Sequence, residues 1–171
     1  MLPLKLKPFR LNAMMLIPKD VAQIPITGHA ASTKCKERLL LKEALVNLFL
    51  ARAVLACIPF RRMATWMGTM GSESAAEIPD GQTLVVEDIS WAVQAMASRV
   101  PWDSRCLAQA IAGYRMLLKR GIPSTVYFGV KKDAQVVFGA HAWLRCGPCI
   151  ITGEAGHTGY HVLCQFSRTV L

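Results

Sequence analysis

A chain of 171 residues has room for one domain and a helical extension. At 53% hydrophobic and 18% charged it is globular and rather apolar, which excludes an intrinsically disordered chain. The net charge of +9 at pH 7 calls for an acidic partner: nucleic acid, a membrane surface or an acidic peptide. The basic residues are scattered, with short clusters at Lys34 to Arg38 and at Arg61-Arg62. No nucleic-acid-binding motif accompanies them, so no nucleic-acid partner is expected.

The start of the chain, Met1 to Pro8, does not read as a secretory signal. Pro3, Lys5, Lys7 and Pro8 interrupt any apolar run, and no small-residue cleavage site follows. The six cysteines then read as reduced thiols of a cytoplasmic protein rather than a disulfide framework. Residues 1–34 are expected to be an N-terminal extension, because Pro3, Pro8, Pro18 and Pro25 prevent a long helix.

Lys36 to Arg62 reads as a helix or a helix pair, with Leu41, Leu45, Leu48 and Leu55 near helical spacing and Pro59 as a stop. Ala44 to Ala51 carries no charge. Lys42, Glu43 and Arg52 nevertheless leave far fewer than the ~20 apolar residues a membrane span needs, so no stable span is expected. Gly68, Gly71, Pro79 and Gly81 mark Met67 to Gln82 as a linker. The division expected is 35–82 as a helical region with linker and 83–171 as the core domain. Thr83 to Val100 is a helix capped by Asp88 or Thr83, and Pro101 stops it. The central helix opens with Asp103 or Ser104 as N-cap, runs to about Arg120 and ends at Gly121.

After Pro123 the pattern changes to strands: Ser124 to Lys131, Val136 to Arg145, Cys149 to Thr152 and Tyr160 to Phe166. The turns between them are Lys132-Asp133-Ala134, Gly147-Pro148 and Gly153 to Gly159. Helices followed by an antiparallel sheet make an α+β fold.

Cys106 stands in the first turn of the central helix, and His141 in a later strand. A thiol needs a base to ionise at neutral pH, and a helix N-terminus further favours the anion. Gln109, one turn on and on the same helix face, is a candidate oxyanion donor. Trp143 shares a strand face with His141 and is a candidate to shield and position. Taken singly, a cysteine is more often a small buried hydrophobe, and a histidine between Ala140 and Ala142 a satisfied core residue. The group that orients the histidine is Glu154 or Asp133.

Cys146-Gly147-Pro148-Cys149 spells a thioredoxin-type redox motif, but there the motif opens a helix. Here Ile150-Ile151-Thr152 follows, so Gly147-Pro148 reads as a hairpin turn. A zinc site from Cys146, Cys149, His157 and His161 would leave only seven residues between the two pairs, against roughly a dozen in zinc fingers. Neither a metal nor a cofactor is expected.

Several pieces together resemble one family. They are Pro59-Phe60-Arg61-Arg62, Val100-Pro101-Trp102, Ser104-Arg105-Cys106-Leu107, Gln109-Ala110, Leu117 to Pro123, Gly129-Val130 and Ala140-His141-Ala142-Trp143-Leu144. The combination resembles the B2 proteins of lasso-peptide biosynthesis. Those are transglutaminase-like cysteine proteases that remove the leader from a ribosomal precursor peptide. The resemblance spans about Leu39 to Phe166. It implies a papain/transglutaminase-like fold, Cys106 as nucleophile and His141 as general base. The family often places an aspartate twelve residues after the histidine, where this chain has Gly153, with Glu154 one later. A one-residue shift in a strand turns a side chain to the opposite face, but a strand end at Thr152-Gly153 would let Glu154 swing in. Some members carry a winged-helix leader-recognition domain, for which residues 1–34 are too short. The resemblance therefore implies a stand-alone protease that works with a separate B1-type recognition protein and passes its product to an ATP-using lasso cyclase. A non-catalytic scaffold of the same fold and an acyl transferase using the same Cys/His pair are the alternatives.

Overall fold

Helix α1 (Lys34–Cys57) is built from Leu, Ala, Lys and Glu with no internal Gly or Pro. Ala44, Leu48 and Ala51, spaced by four and three residues, form its buried stripe. The computed structural model describes residues 34–132 and 138–168. Residues 1–33 of the expected extension, and the turn with Asp133, lie outside the described residues. Pro59 divides the expected Lys36 to Arg62 helix into a pair, with α2 at Phe60–Trp66. Pro59 is extended and stands just before α2, where its missing N–H costs nothing.

The segment expected as a linker contributes strand β1 (Thr69–Met70). Its next residues are tied to the sheet: Ser74 N–H donates to Thr125 Oγ1 at 2.8 Å and Arg145 Nη2 to the Ser74 carbonyl at 3.1 Å. Helix α3 (Thr83–Ala97) follows, and α4 runs Cys106–Lys119. The expected N-caps need correction. Gln82 precedes α3, with Thr83 as first helical residue and Asp88 inside it. Arg105, extended and making no side-chain cap bond, precedes α4. Ser104 Oγ instead donates to the Ala97 carbonyl at 2.8 Å, tying the end of α3 to the start of α4. Asp103 pairs with Arg105 at 2.8 Å. The first N–H groups of α4 are therefore left for other partners.

The far end of α4 closes as expected at Gly121, which takes φ +68°. Ile122 N–H bonds the Leu117 carbonyl and Gly121 N–H that of Leu118, the paired bonds of a Schellman stop. Strands β2 (Thr125–Lys132), β3 (Phe138–Cys146), β4 (Cys149–Thr152) and β5 (His161–Ser167) follow, with a 3-10 turn at His157–Gly159 before β5. The sheet order is β1-β5-β2-β3-β4, antiparallel throughout. This is an α+β fold.

Alternation sorts the sheet residues between two faces. Val126, Leu144 and Ile151 join the core with Ile111, Met116 and Leu117 of α4, Val86, Ile89 and Val93 of α3, and the α1 stripe. Gly113 lets α4 approach closely, since a Cβ there would lie 2.8 Å from Leu144 Cδ2. Tyr127 and Trp143 stack on the other face with ring centroids 5.4 Å apart, and Arg145 Nε donates to Tyr127 Oη at 2.9 Å. Cys146 and Cys149 face each other across a tight turn, as the hairpin reading of Gly147-Pro148 requires. Among the described residues, no helix is long and apolar enough to cross a membrane.

Helices α1 and α4 are also joined by charge. Glu43 accepts from Arg120 Nη2 at 2.6 Å and from Lys119 Nζ at 3.2 Å. The bond from Arg120 is the main reason the Glu43 carboxyl lies below its usual value of 4.5, against the opposing effect of burial. A carboxyl with a depressed folded-state value stabilises fully above its unfolded value and loses that contribution as pH falls through the folded one. Glu43→Gln should therefore cost about 1 kcal/mol at pH 7. The deficit should close in acid, once Glu43 itself is protonated. Denaturant titration at neutral and acidic pH checks both parts.

Candidate active site

Cys106 and His141 are separated in sequence and meet where the start of α4 reaches β3. Pairing between β3 and β4 ends at Leu144↔Thr152. Beyond that pair, β3 has β2 on one side only, with Phe128↔Ala142 and Gly129↔His141. The first turn of α4 and the loop after Thr152 occupy the other side. There the Cys106 thiol and the His141 imidazole lie close enough for each to shift the other's ionisation.

Two main-chain donors join this contact. The N–H of Ala142, beyond the reach of β4, and the N–H of Leu107, in the first turn of α4, both favour the ionised thiol. Burial pushes the Cys106 thiol up, but the bond to His141, the Ala142 N–H, the His141 charge and the Leu107 N–H together bring it below the usual cysteine value. His141 moves the other way. Its bond to Cys106 raises it, burial lowers it, and the Gly153 carbonyl raises it, with a net rise. A thiol made more acidic beside an imidazole made more basic is the pairing nucleophilic catalysis needs.

His141 Nε2 lies 2.7 Å from the Gly153 carbonyl oxygen. A carbonyl only accepts, so Nε2 carries the hydrogen and Nδ1 is left for the thiol proton. Glu154, expected as the orienting carboxylate, is exposed. Its main-chain carbonyl accepts from the N–H of His157 and bonds His157 Nδ1 at 2.7 Å. The alternative, Asp133, lies outside the described residues. The orienting bond to His141 thus comes from main chain, which no residue type in the sequence announces.

Gln109 lies one turn after Cys106 as expected, and its Nε2 donates to the Ser104 carbonyl at 2.8 Å. One of its two N–H bonds thus braces the turn that carries the cysteine. Trp143 is buried and shares the His141 face, with ring centroids 5.9 Å apart and planes 25° from parallel. Tyr160, not singled out in the sequence, lies against the imidazole with its centroid 5.0 Å away. The aromatic composition of the segment just before β5 was the available signal.

Cys146 lies away from this site. It is buried, its Sγ donates to the Pro123 carbonyl at 3.3 Å, and burial pushes its thiol up to about 11. Burial also raises Cys164. Among the described residues, no group of three or more His, Cys, Asp or Glu is placed to hold a metal ion. At pH 7 iodoacetamide should modify Cys106 before Cys146 or Cys164, because alkylation follows thiolate. His141→Ala should slow Cys106 by about tenfold or more, while Cys146→Ser with Cys149→Ser should leave it within about twofold. Peptide mapping after timed labelling reads all three.

Residues 54–165 match the description of the transglutaminase-like superfamily, a stretch that takes in Cys106, His141 and Gly153. No curated protein and no solved structure matches the chain. With well over half of its length matched, this chain belongs to the transglutaminase-like superfamily.

Proposed function

We propose that this chain is a cytoplasmic cysteine peptidase that removes the leader from a ribosomally made lasso-peptide precursor. The observation that carries the peptidase reading is the Cys106–His141 contact at the start of α4, with the thiol lowered and the imidazole raised. The lasso-peptide part rests on the sequence resemblance, from Val100-Pro101-Trp102 through Ala140-His141-Ala142-Trp143.

The proposed reaction runs as follows. His141 Nδ1 takes the thiol proton, and the Cys106 thiolate adds to the scissile carbonyl carbon. The Cys106 N–H, free of an intrahelical partner in the first turn of α4, and the second N–H of Gln109 are the proposed donors to the oxyanion. As the C–N bond breaks, the imidazolium returns its proton to the departing amine, leaving a thioester on Cys106. Water then gives a proton to His141 and adds to the thioester. The C–S bond breaks, the leader acid departs and the thiol is re-formed. An acyl transferase would share every step up to the thioester and differ only in using an amine instead of water. The hydrogen bond from His141 to Gly153 favours an enzyme over a non-catalytic scaffold, since a scaffold has no need of a fixed imidazole tautomer.

A protease pocket reads a few residues around the scissile bond, so leader recognition is assigned to a separate B1-type protein, and the cleaved product to a lasso cyclase. Delivery on a second protein makes attack effectively intramolecular, at about millimolar local concentration for a short tether.

Cys106→Ala and His141→Ala should each lower precursor cleavage by about a thousandfold or more while circular dichroism is unchanged. A folded Cys106→Ala chain that cleaves at the original rate would overturn the peptidase reading. In a time course, addition of the leader-binding protein should accelerate cleavage. Equal rates with and without it would move leader recognition onto this chain.

A further inference from the structure

We propose that the main-chain carbonyl of Gly153 is the positioning group for His141, in the place where a carboxylate would otherwise stand, and that only glycine at 153 allows it. The inference deepens the peptidase reading and rests on it for the identity of the reaction, though not for the geometry.

The carbonyl reaches His141 because β4 stops at Thr152 and the chain turns back at Gly153 with φ +78°. That conformation is one L side chains rarely adopt. The space is closed as well. A Cβ at 153 would lie 2.6 Å from the Ala142 carbonyl oxygen and 2.9 Å from Trp143 Cβ, both in β3. A strand atom and the root of a buried tryptophan cannot give way as the tip of a flexible side chain would. An aspartate at 153 therefore cannot be added to this backbone: it would displace the carbonyl it was meant to replace. The neighbouring Glu154 is turned outward, and its own carbonyl is occupied by His157.

Among the described residues, the groups facing His141 come from several elements. Cys106 comes from α4, the Gly153 carbonyl from the end of β4, and the Tyr160 ring from the segment before β5. Trp143 lies on its own strand, with His157 tilted against that indole, ring centroids 6.0 Å apart. None of these is a carboxylate. A carbonyl holds the Nε2–H tautomer as firmly as a carboxylate by geometry, but it brings no negative charge to an imidazolium. Support for the ionised pair falls instead on the thiolate side, which the Ala142 and Leu107 N–H groups favour.

The test uses the full chain and needs no peptide. Nitrogen-15 NMR of the histidines in Cys106→Ala should show neutral His141 as the Nε2–H tautomer. Alkylation of Cys106 by iodoacetamide across pH should fall by about tenfold or more at pH 7 in both Gly153→Ala and Gly153→Asp, with a displaced pH profile. Glu154→Gln should stay within about twofold. Three results would overturn the proposal: an Nδ1–H tautomer, a Gly153→Asp chain as reactive as the original, or a tenfold loss in Glu154→Gln. The tautomer is read with Gly153 intact, so it decides even if the Gly153 variants do not fold. If the tautomer and the alkylation behave as expected and precursor is still not cleaved, the peptidase reading fails and the role of Gly153 stands.

Discussion

Strand β3 outruns its neighbour β4, and the site depends on that mismatch. Pairing stops at Leu144↔Thr152, so the next stretch of β3 toward its start has no strand on that side. A bare strand edge presents N–H and C=O groups that must find partners. Here the Ala142 N–H acts on the Cys106 thiol and favours its ionised form. On the same edge, the loop leaving β4 brings the Gly153 carbonyl to His141. A β4 two residues longer would satisfy the edge with ordinary ladder bonds and remove both contacts.

The edge is useful only if α4 arrives at a fixed height. Gly113 allows the helix to sit close on β3, and Tyr114 Oη donates to the Met67 carbonyl at 2.7 Å, anchoring its middle to the end of α2. Ser104 ties the start of α4 to the end of α3, and Gln109 returns to Ser104 from inside the helix. At the other end, Gly121 stops the helix and Glu43 holds Lys119 and Arg120 from α1. The helix is thus restrained at its start, middle and end. The absence of a side-chain cap at Arg105 leaves the Leu107 N–H for the thiol. A capping aspartate or serine would compete for those first N–H groups and set a negative or lone-pair-bearing oxygen beside the Cys106 thiol.

The parts legible in the sequence are those that residue type controls. Gly121 after a basic last turn, Gly147-Pro148 between two strand-like apolar runs, and the cysteine at a helix start could each be read directly. Pro59 did separate two helices, because proline is compatible with the residue before a helix. The N-caps were misread because Ser104 and Asp103 have the right chemistry and spend it elsewhere, on Ala97 and Arg105. Strand β1 escaped notice because its two residues pair with distant Ser167 and Phe166 rather than with a local pattern. The orienting group escaped for a deeper reason. Every residue has a carbonyl, so its role depends on where the chain turns, and the only local trace is the glycine that permits the turn.

Fixing an imidazole requires control of two motions, tilt of the ring plane and rotation within it. Packing controls the first. The Tyr127, Trp143 and His141 rings form a run in which the first pair is nearly parallel, at 5°, and the second departs by 25°. Tyr160 closes on the imidazole at 36°. Gly129, opposite His141 on β2, leaves room for this packing, since a Cβ there would lie 2.9 Å from the Trp143 ring and 3.0 Å from Tyr160 Cβ. Stacked rings still slide and turn in their planes, because dispersion has little directional preference. The hydrogen bond from Nε2 to Gly153 removes that freedom, since it weakens steeply away from linearity. With tilt set by aromatic packing and rotation by one carbonyl, Nδ1 has a single direction left, toward the sulfur at the start of α4.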